Sequence, residues 1–204
     1  MTTSDAAQTS TRIRLAREDE LPLLREVERA SGEIFRDIGL AEIADDEPLS
    51  LTELGHYQRA GRAWVTTESG GVGGTERGGA GGTEGGTAGG GAGGKLLAFL
   101  LAEPVDGNLH IAQVAVHPAA AGRRLGAALI EHLARLAVAD RAPRLTLTTY
   151  REVPWNAPYY RTLGFGEIPE PELGPRLRLI RDLERKAGLD RWPRVAMSRP
   201  LRGV

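Results

Sequence analysis

A chain of 204 residues has room for one domain or one and a half, and 41% apolar residues are enough to build a core. Its 26 basic and 27 acidic side chains nearly cancel, which argues against a dedicated nucleic-acid binder or a membrane-surface protein. The absence of Cys excludes disulfides, thiolate metal sites and a cysteine nucleophile, and the four His show no metal-ligand spacing.

The first ten residues are small and polar, which predicts a disordered tail over 1–10. They hold no apolar signal-peptide core, and no later stretch is apolar for the length of a membrane span, so a cytoplasmic location without membrane contact is expected. Arg12 to Ala16 alternates polar and apolar and predicts a first strand. Acids at 18–20 and Pro22 then mark a helix start, with Leu23, Val27 and Ala30 expected on one face. Glu33 to Leu40 continues or follows that helix, with Gly39 ending it. Ser50 and Glu53 have capping-box spacing for a short helix that ends near Gly61, and Ala63 to Thr67 is a second strand.

The run over 69–94 holds more than half of the 27 Gly and almost nothing apolar to bury. We read it as a swollen, flexible strand–strand loop, because too little chain precedes it for an independent domain. Relative to a tight turn it costs about 1.5–2 kcal/mol in closure entropy. Leu96 to Glu103 is apolar enough for a central strand, Asp106-Gly107-Asn108 is a turn, and Leu109 to Val116 completes a hairpin. A helix from about Arg123 to Ala139 has Leu125, Leu129, Leu133 and Leu136 on one face. Leu145 to Tyr150 is a strand, Pro154 to Leu163 a short helix stopped by Gly164, and Phe165 to Ile168 a strand. Pro175 to Ala187 is helical by the spacing of Leu177, Ile180, Leu183 and Glu184, and Arg194 to Ser198 is the last strand. This order predicts an α/β (α+β) fold, with a mixed sheet and helices on both faces.

The stretch from Leu109 to Ala139 organises the chain: strand, glycine-bearing turn, amphipathic helix. Such a turn presents free N–H groups and the positive end of a helix, a place to hold a phosphate. Alone the signal is weak, since Gly126 could merely let the helix approach the sheet. A second signal follows about thirty residues on, in VPWNAPYYRTLGF from Val153 to Phe165.

Together the two stretches resemble motifs A and B of the GNAT superfamily of acetyl-CoA-dependent N-acetyltransferases, and the second is similar to a bacterial subgroup of unassigned substrate. The family turn reads Q/R-x-x-G-x-G/A, and its later Tyr stands five residues before the Phe of a Gly-Phe pair, as Tyr160 does before Phe165. The resemblance covers nearly the whole chain apart from the tail and the insert, as a single domain with a mostly antiparallel central sheet. It implies an acetyltransferase with acetyl-CoA as co-substrate. The implied cofactor-binding positions are Val114, Ala115 and Val116 on the strand, Ala121, Gly122, Arg123, Arg124, Leu125, Gly126 and Ala127 in the turn, and Asn156. The turn departs from the family pattern at two places: Ala121 stands for Gln or Arg, and Arg124 for the first Gly. The lost contact to pyrophosphate is expected from Arg123 or Arg124 instead.

For the chemistry, the resemblance implies direct attack of a primary amine on the thioester. The Val116 N–H is the expected oxyanion donor, and the cofactor's arm pairs with Ala115 and Val116 like an added strand. Tyr160 is at the family's general-acid position, although packing is the commoner fate of such a Tyr. Asn156 is open between a cofactor contact and a helix cap. His110 aligns with the first of two strand histidines in arylalkylamine acetyltransferases and is the candidate base; a surface His after a turn is the competing reading, and Glu103 and Glu33 are other candidate bases. Glu33 and Phe35 lie where the family lines its acceptor pocket, Trp64 and Trp155 read as core, and dimers are common in the superfamily. Two other classes compete. A DNA-binding module would use Arg123, Arg124 and Arg135 on a recognition helix, but Leu125, Leu129 and Leu133 need burial. A GNAT-shaped CoA-binding or interaction protein without chemistry is the alternative that the altered turn supports.

Overall fold

The computed structural model of the protein describes residues 10–68 and 94–201. The expected tail over 1–10 and the insert over 69–94 lie outside the described residues, save for residues 10 and 94. A seven-stranded sheet runs in the order β1-β2-β3-β4-β5-β7-β6. The strands are β1 (Thr11–Leu15), β2 (Ala63–Glu68), β3 (Lys95–Val105), β4 (Asn108–Val116), β5 (Arg144–Tyr150), β6 (Gly166–Glu167) and β7 (Arg194–Pro200). Every neighbouring pair is antiparallel except β4 with β5. The helices are α1 (Leu21–Gly32), α2 (Ala41–Ala44), α3 (Leu51–Arg59), α4 (Leu125–Ala139), α5 (Ala157–Thr162) and α6 (Pro175–Lys186).

Two cores lie on opposite faces of the sheet. On one face Leu125, Leu129 and Leu133 of α4 and Ala157 and Tyr160 of α5 pack on Trp64, Leu100, Leu145 and Leu147. On the other, Leu24 and Val27 of α1 and Leu54 of α3 pack on Val65, Phe99 and Leu101. The exposed and buried sides of α1 differ from the expected face. Leu23 is 42% exposed, and Leu21, Leu24 and Val27 point inward instead. Residues Glu33–Ile38 form a 3-10 segment, which Gly39 ends in the left-handed region at φ 77°. The capping box of α3 is present, with Glu53 N–H donating to Ser50 Oγ at 3.2 Å and Ser50 N–H to Glu53 Oε2 at 2.8 Å. The face of α6 also differs. Leu183 is exposed, and the inward side holds Leu177, Arg181 and Glu184. The charges on that side are paired with one another and with β7, so a hydrophobic-periodicity rule does not find it.

The site is positioned by one irregularity in β4. Leu101 is opposite Gln113 but Ala102 is opposite Ile111, which leaves Ala112 as an extra residue on β4. Such a bulge bends its strand and sharpens the twist. Pairing between β4 and β5 covers Leu109, His110 and Ile111 and ends at Ile111 opposite Leu147, immediately before the bulge. From there to Val116, β4 diverges from β5, and the sheet opens into a V at the carboxyl ends of its two parallel strands. The hairpin at the other end turns through Asp106 and Gly107, both with positive φ (49° and 75°), as a two-residue type I′ loop requires. Among the described residues no helix is long and apolar enough to cross a membrane.

Candidate active site

The edge of the gap is backbone. His117 N–H donates to Leu97 O at 2.8 Å, which makes these two a hydrogen-bonded pair across β3 and β4. Direction alternates along a strand, so Ala115 also turns its N–H and C=O to β3. Val114 and Val116 then present theirs to the open side, where β5 no longer pairs. The gap therefore offers two strand-type positions, at Val114 and Val116, while the amide of Ala115 is used inside the sheet.

Above the gap lies the turn. His117 Nδ1 accepts from Ala119 N–H at 3.1 Å, and Pro118–Ala120 make one 3-10 turn. Gly122 (φ 75°) and Arg124 (φ 57°, ψ 25°) both take the left-handed conformation. That is why α4 begins at Leu125 rather than Arg123. The position where the family pattern has Gly is the one where the backbone needs φ above zero, and here Arg adopts it. Ala128 N–H is the first amide of α4 with a backbone partner, Arg124 O at 3.0 Å, so Leu125, Gly126 and Ala127 present N–H groups without a partner among the described residues at the positive end of a fifteen-residue helix. A Cβ on Gly126 would meet Val116 Cγ2 at 3.5 Å, an ordinary contact, so close helix–strand approach does not require glycine there. Arg123 is tied away from the turn by Glu68 at the end of β2, Nη2 to Oε1 at 2.8 Å. Arg124 is exposed and makes no ion pair among the described residues.

The start of α5 stands at the carboxyl end of β5, beside the gap. Asn156 does not cap the helix with its side chain. Its Nδ2 donates to Thr149 Oγ1 at 2.7 Å, and its Oδ1 is buried without a partner among the described residues. The neighbouring Trp155 Nε1 is also buried and has no partner among the described residues. Tyr160 is 9% exposed, edge-on to Phe165 with ring centroids 5.8 Å apart, and no hydrogen bond reaches its hydroxyl among the described residues. Burial, with Tyr159 adding, pushes its pKa above that of an ordinary phenol, so it keeps its proton at neutral pH.

His110 stands elsewhere. It is six residues before Val116, roughly 20 Å along the strand, in the closed half of the sheet. It is 2% exposed and bonded through Nδ1 to Thr146 Oγ1 at 3.0 Å. Burial lowers its pKa to about 4, against the weaker pull of Glu184, so the ring is neutral at neutral pH. Sequence reading had it either as a base at the site or on the surface; it is in neither environment. Phe35 is brought to the open end of β5, edge-on to Tyr150 (5.9 Å) and Trp155 (5.5 Å). Glu33 faces outward and pairs with Arg36 at 2.9 Å. Trp64 is core, while Trp155 is half-buried in the cluster with Phe35.

Two groupings lay beyond sequence reasoning. One is the aromatic set at the end of β5, where Trp192 is edge-on to Tyr150 at 6.4 Å and the Arg194 guanidinium sits 4.5 Å over the Tyr150 ring. The other is the charge cluster beneath it. Glu184 accepts from Thr148, Arg181 and Arg194, and Arg181 also holds Asp190 at 2.9 Å. Burial works to raise the Glu184 pKa, but the charge of Arg194 and these bonds hold it below the usual carboxylate range. It is a fixed anion, not a base. The signal for both was the placement of Tyr150 and Thr148 past the last β4–β5 pair, which only the register reveals.

Comparison with known proteins agrees with this architecture. Residues 75–165, a little under half of the chain, match the model of the acetyltransferase (GNAT) family. The fold is similar to that of the ribosomal-protein-S18-alanine N-acetyltransferase of Escherichia coli, at 17% identity and a TM-score of 0.56, over 94% of each chain. It is similar to a Thermoplasma acidophilum N-acetyltransferase in complex with coenzyme A, at 14% identity and a TM-score of 0.54, over 94% of this chain and 99% of that one. A Mycobacterium tuberculosis protein in complex with CoA matches at 16% identity with a TM-score of 0.60, over 94% and 99% of the two chains. The sheet and its opened β4–β5 pair thus agree with the folds of these N-acetyltransferases, and residues 75–165 are the part of the chain that matches the GNAT acetyltransferase family.

Proposed function

We propose that the protein binds acetyl-CoA in the gap between β4 and β5 and transfers the acetyl group to a primary amine by direct attack. The observation that carries this reading is the pair of gap-facing peptide groups at Val114 and Val116, directly below a turn with three free helix N–H groups. The residues fit the cofactor. Leu125, Gly126 and Ala127 offer amides to a diphosphate, and Arg124 is the cation free to join them where Ala121 offers nothing. Val114 and Val116 suit the amides of the pantetheine arm, and the orphaned Asn156 Oδ1 suits an N–H donor.

Bound there, acetyl-CoA supplies an activated carbonyl. In place of the expected Val116, Val114, two residues past the bulge and deeper in the gap, turns its N–H toward the charge that develops on the carbonyl oxygen and takes the role of oxyanion donor. Tyr160 carries a proton, with no competing hydrogen bond among the described residues, and gives it to the leaving thiolate. Phe35, Tyr150 and Trp155 form the apolar wall on the acceptor side. His110 is sealed away from the gap, so the proton that the amine loses as the new C–N bond forms goes to bulk solvent and not to His110. The test is calorimetric titration with acetyl-CoA against CoA and ATP, followed by an amine screen read by free-thiol release, which this Cys-free chain does not contaminate. Selective micromolar binding with amine-dependent thiol release is the expected result. Binding without turnover on any amine would mark a GNAT-shaped protein without chemistry, and no binding at millimolar acetyl-CoA would remove the cofactor reading.

A further inference from the structure

On the face of the sheet that carries α1 and α3 there is a cavity of about 320 Å³, between α3 and the far end of β3. That is the lower end of the range for small-ligand sites and suits a molecule the size of an amino acid. It is not part of the turn and helix start described above. Its walls Leu49 and Tyr57 pack on the α1–α3 core, whereas α4 packs on the opposite face.

The polar groups of this cavity are unevenly satisfied. Glu53 is used by the capping box of α3, bonded to Ser50. Glu103 accepts one bond, from the Tyr57 hydroxyl at 3.4 Å on Oε1, and its Oε2 has no partner among the described residues. The Arg62 guanidinium makes no hydrogen bond and no ion pair among the described residues, although Arg62 O holds Ala102 N–H at 3.1 Å, one residue from Glu103. An acid and a base line one small cavity and are not paired with each other. Leu49, His56 and Ala60 complete the lining. Two opposite charges that line one cavity without pairing with each other offer a ligand both an anionic and a cationic partner.

We propose that this cavity binds a small zwitterion of the α-amino-acid type, with its ammonium on Glu103 beside Tyr57 and its carboxylate on Arg62. Glu103 is the cross-strand partner of His110, and Ala112, the bulged residue of β4, packs against the same core as Leu49 and Tyr57. The site therefore lies in the closed half of the sheet and shares the core that the bulged residue packs on. With its ammonium held on Glu103, opposite His110 in the closed half of the sheet, the ligand is an effector held away from the gap rather than the acetyl acceptor.

The experiment is titration of the full chain with L-alanine, L-glutamate and L-lysine, each compared with propylamine and propionate. At least one amino acid should bind about tenfold tighter than either the amine or the acid alone. Glu103→Gln and Arg62→Met should each weaken it about tenfold, and Arg62→Lys should keep part of the affinity. Thermal melting of each variant shows that the fold is kept. Binding no better than propylamine and propionate, or affinity unchanged in both variants, would overturn the proposal. With acetyl-CoA present the bound amino acid should give no N-acetylated product, and acetylation of its α-amine would overturn its placement on Glu103, away from the gap. Acetyl-CoA affinity is measured in a separate titration and should be unchanged in Glu103→Gln, so failure of the cofactor reading and failure of this site are seen in different experiments.

Discussion

Replacing Arg124 by glycine should make the protein more stable and a poorer binder of acetyl-CoA. Arg124 is held at φ 57° and ψ 25°. A left-handed conformation costs a side-chain-bearing residue about 1–2 kcal/mol, and the extra freedom of glycine in the unfolded chain returns about 0.5–1 kcal/mol of that. The net gain is about 0.5–1 kcal/mol, or a rise in Tm of about 1–4 °C for a chain of this size. On the ligand side, a charge-assisted hydrogen bond to phosphate is worth about 1.5–3 kcal/mol, so affinity should fall roughly 10- to 150-fold. Scanning calorimetry reads the first effect and titration calorimetry the second, with acetyl-pantetheine as the control that carries no diphosphate. Opposite signs for stability and affinity are the signature, because a purely structural role moves both together. Unchanged acetyl-CoA affinity would show that Arg124 does not reach the phosphates. A lowered Tm would show that the strain argument is wrong.

Tyr160→Phe should cut turnover about 100-fold while leaving acetyl-CoA affinity and Tm nearly unchanged, since the lost hydroxyl has no partner among the described residues; an unchanged rate removes it as the acid. His110 makes stability depend on acid. Its folded pKa of about 4 lies below the unfolded value near 6.5, so the unfolded state binds the proton first, and stability present above pH 6.5 drains away as pH falls toward 4, by about 3 kcal/mol in total. Melts of His110→Gln across that window should show a flatter profile, and a slope equal to that of the parent would place the acid sensitivity elsewhere. Glu28 acts in the opposite sense: burial raises its carboxyl to about 6, and Oε2 has no partner among the described residues, so Glu28→Gln should stabilise by about 1 kcal/mol at pH 8 after allowance for solvent screening and by little at pH 4. Because Glu68 is the cross-strand partner of Lys95, joining them by a two-residue Asn-Gly turn should preserve the fold and lower the closure cost by about 2 kcal/mol; an insoluble product would show that the replaced segment is structural.

Most elements were legible because their signals are local. The capping box at Ser50 and Glu53, Gly39 as a helix stop and the Asp106-Gly107 hairpin each depend on residues close in sequence, and each is found in the structure. The failures are equally specific. Leu23 was expected on the buried face of α1, but three leucines in four residues leave the phase of a helix undetermined, and Leu21 and Leu24 took the inner side. The inner face of α6 carries Arg181 and Glu184, whose charges are matched by Asp190 and Arg194 from beyond the helix. No hydrophobic pattern announces such a face.

The sequence by itself determined the strand–turn–helix of the central stretch, the family it resembles, and the position of Tyr160 five residues before Phe165. These follow from residue type and spacing along one chain. Only the tertiary structure decided where the sheet opens, because that depends on the register of β3 against β4 and of β4 against β5, and a single bulged residue, Ala112, sets both. It decided that Val114 and Val116, rather than Ala115, face the gap, since the direction of a peptide group depends on which neighbour it already bonds. It also separated the two arginines of the turn, tying Arg123 to Glu68 and leaving Arg124 exposed in a conformation that glycine would hold without strain. Glu68 is 55 residues away along the chain, and a salt bridge over that distance leaves no mark on local sequence.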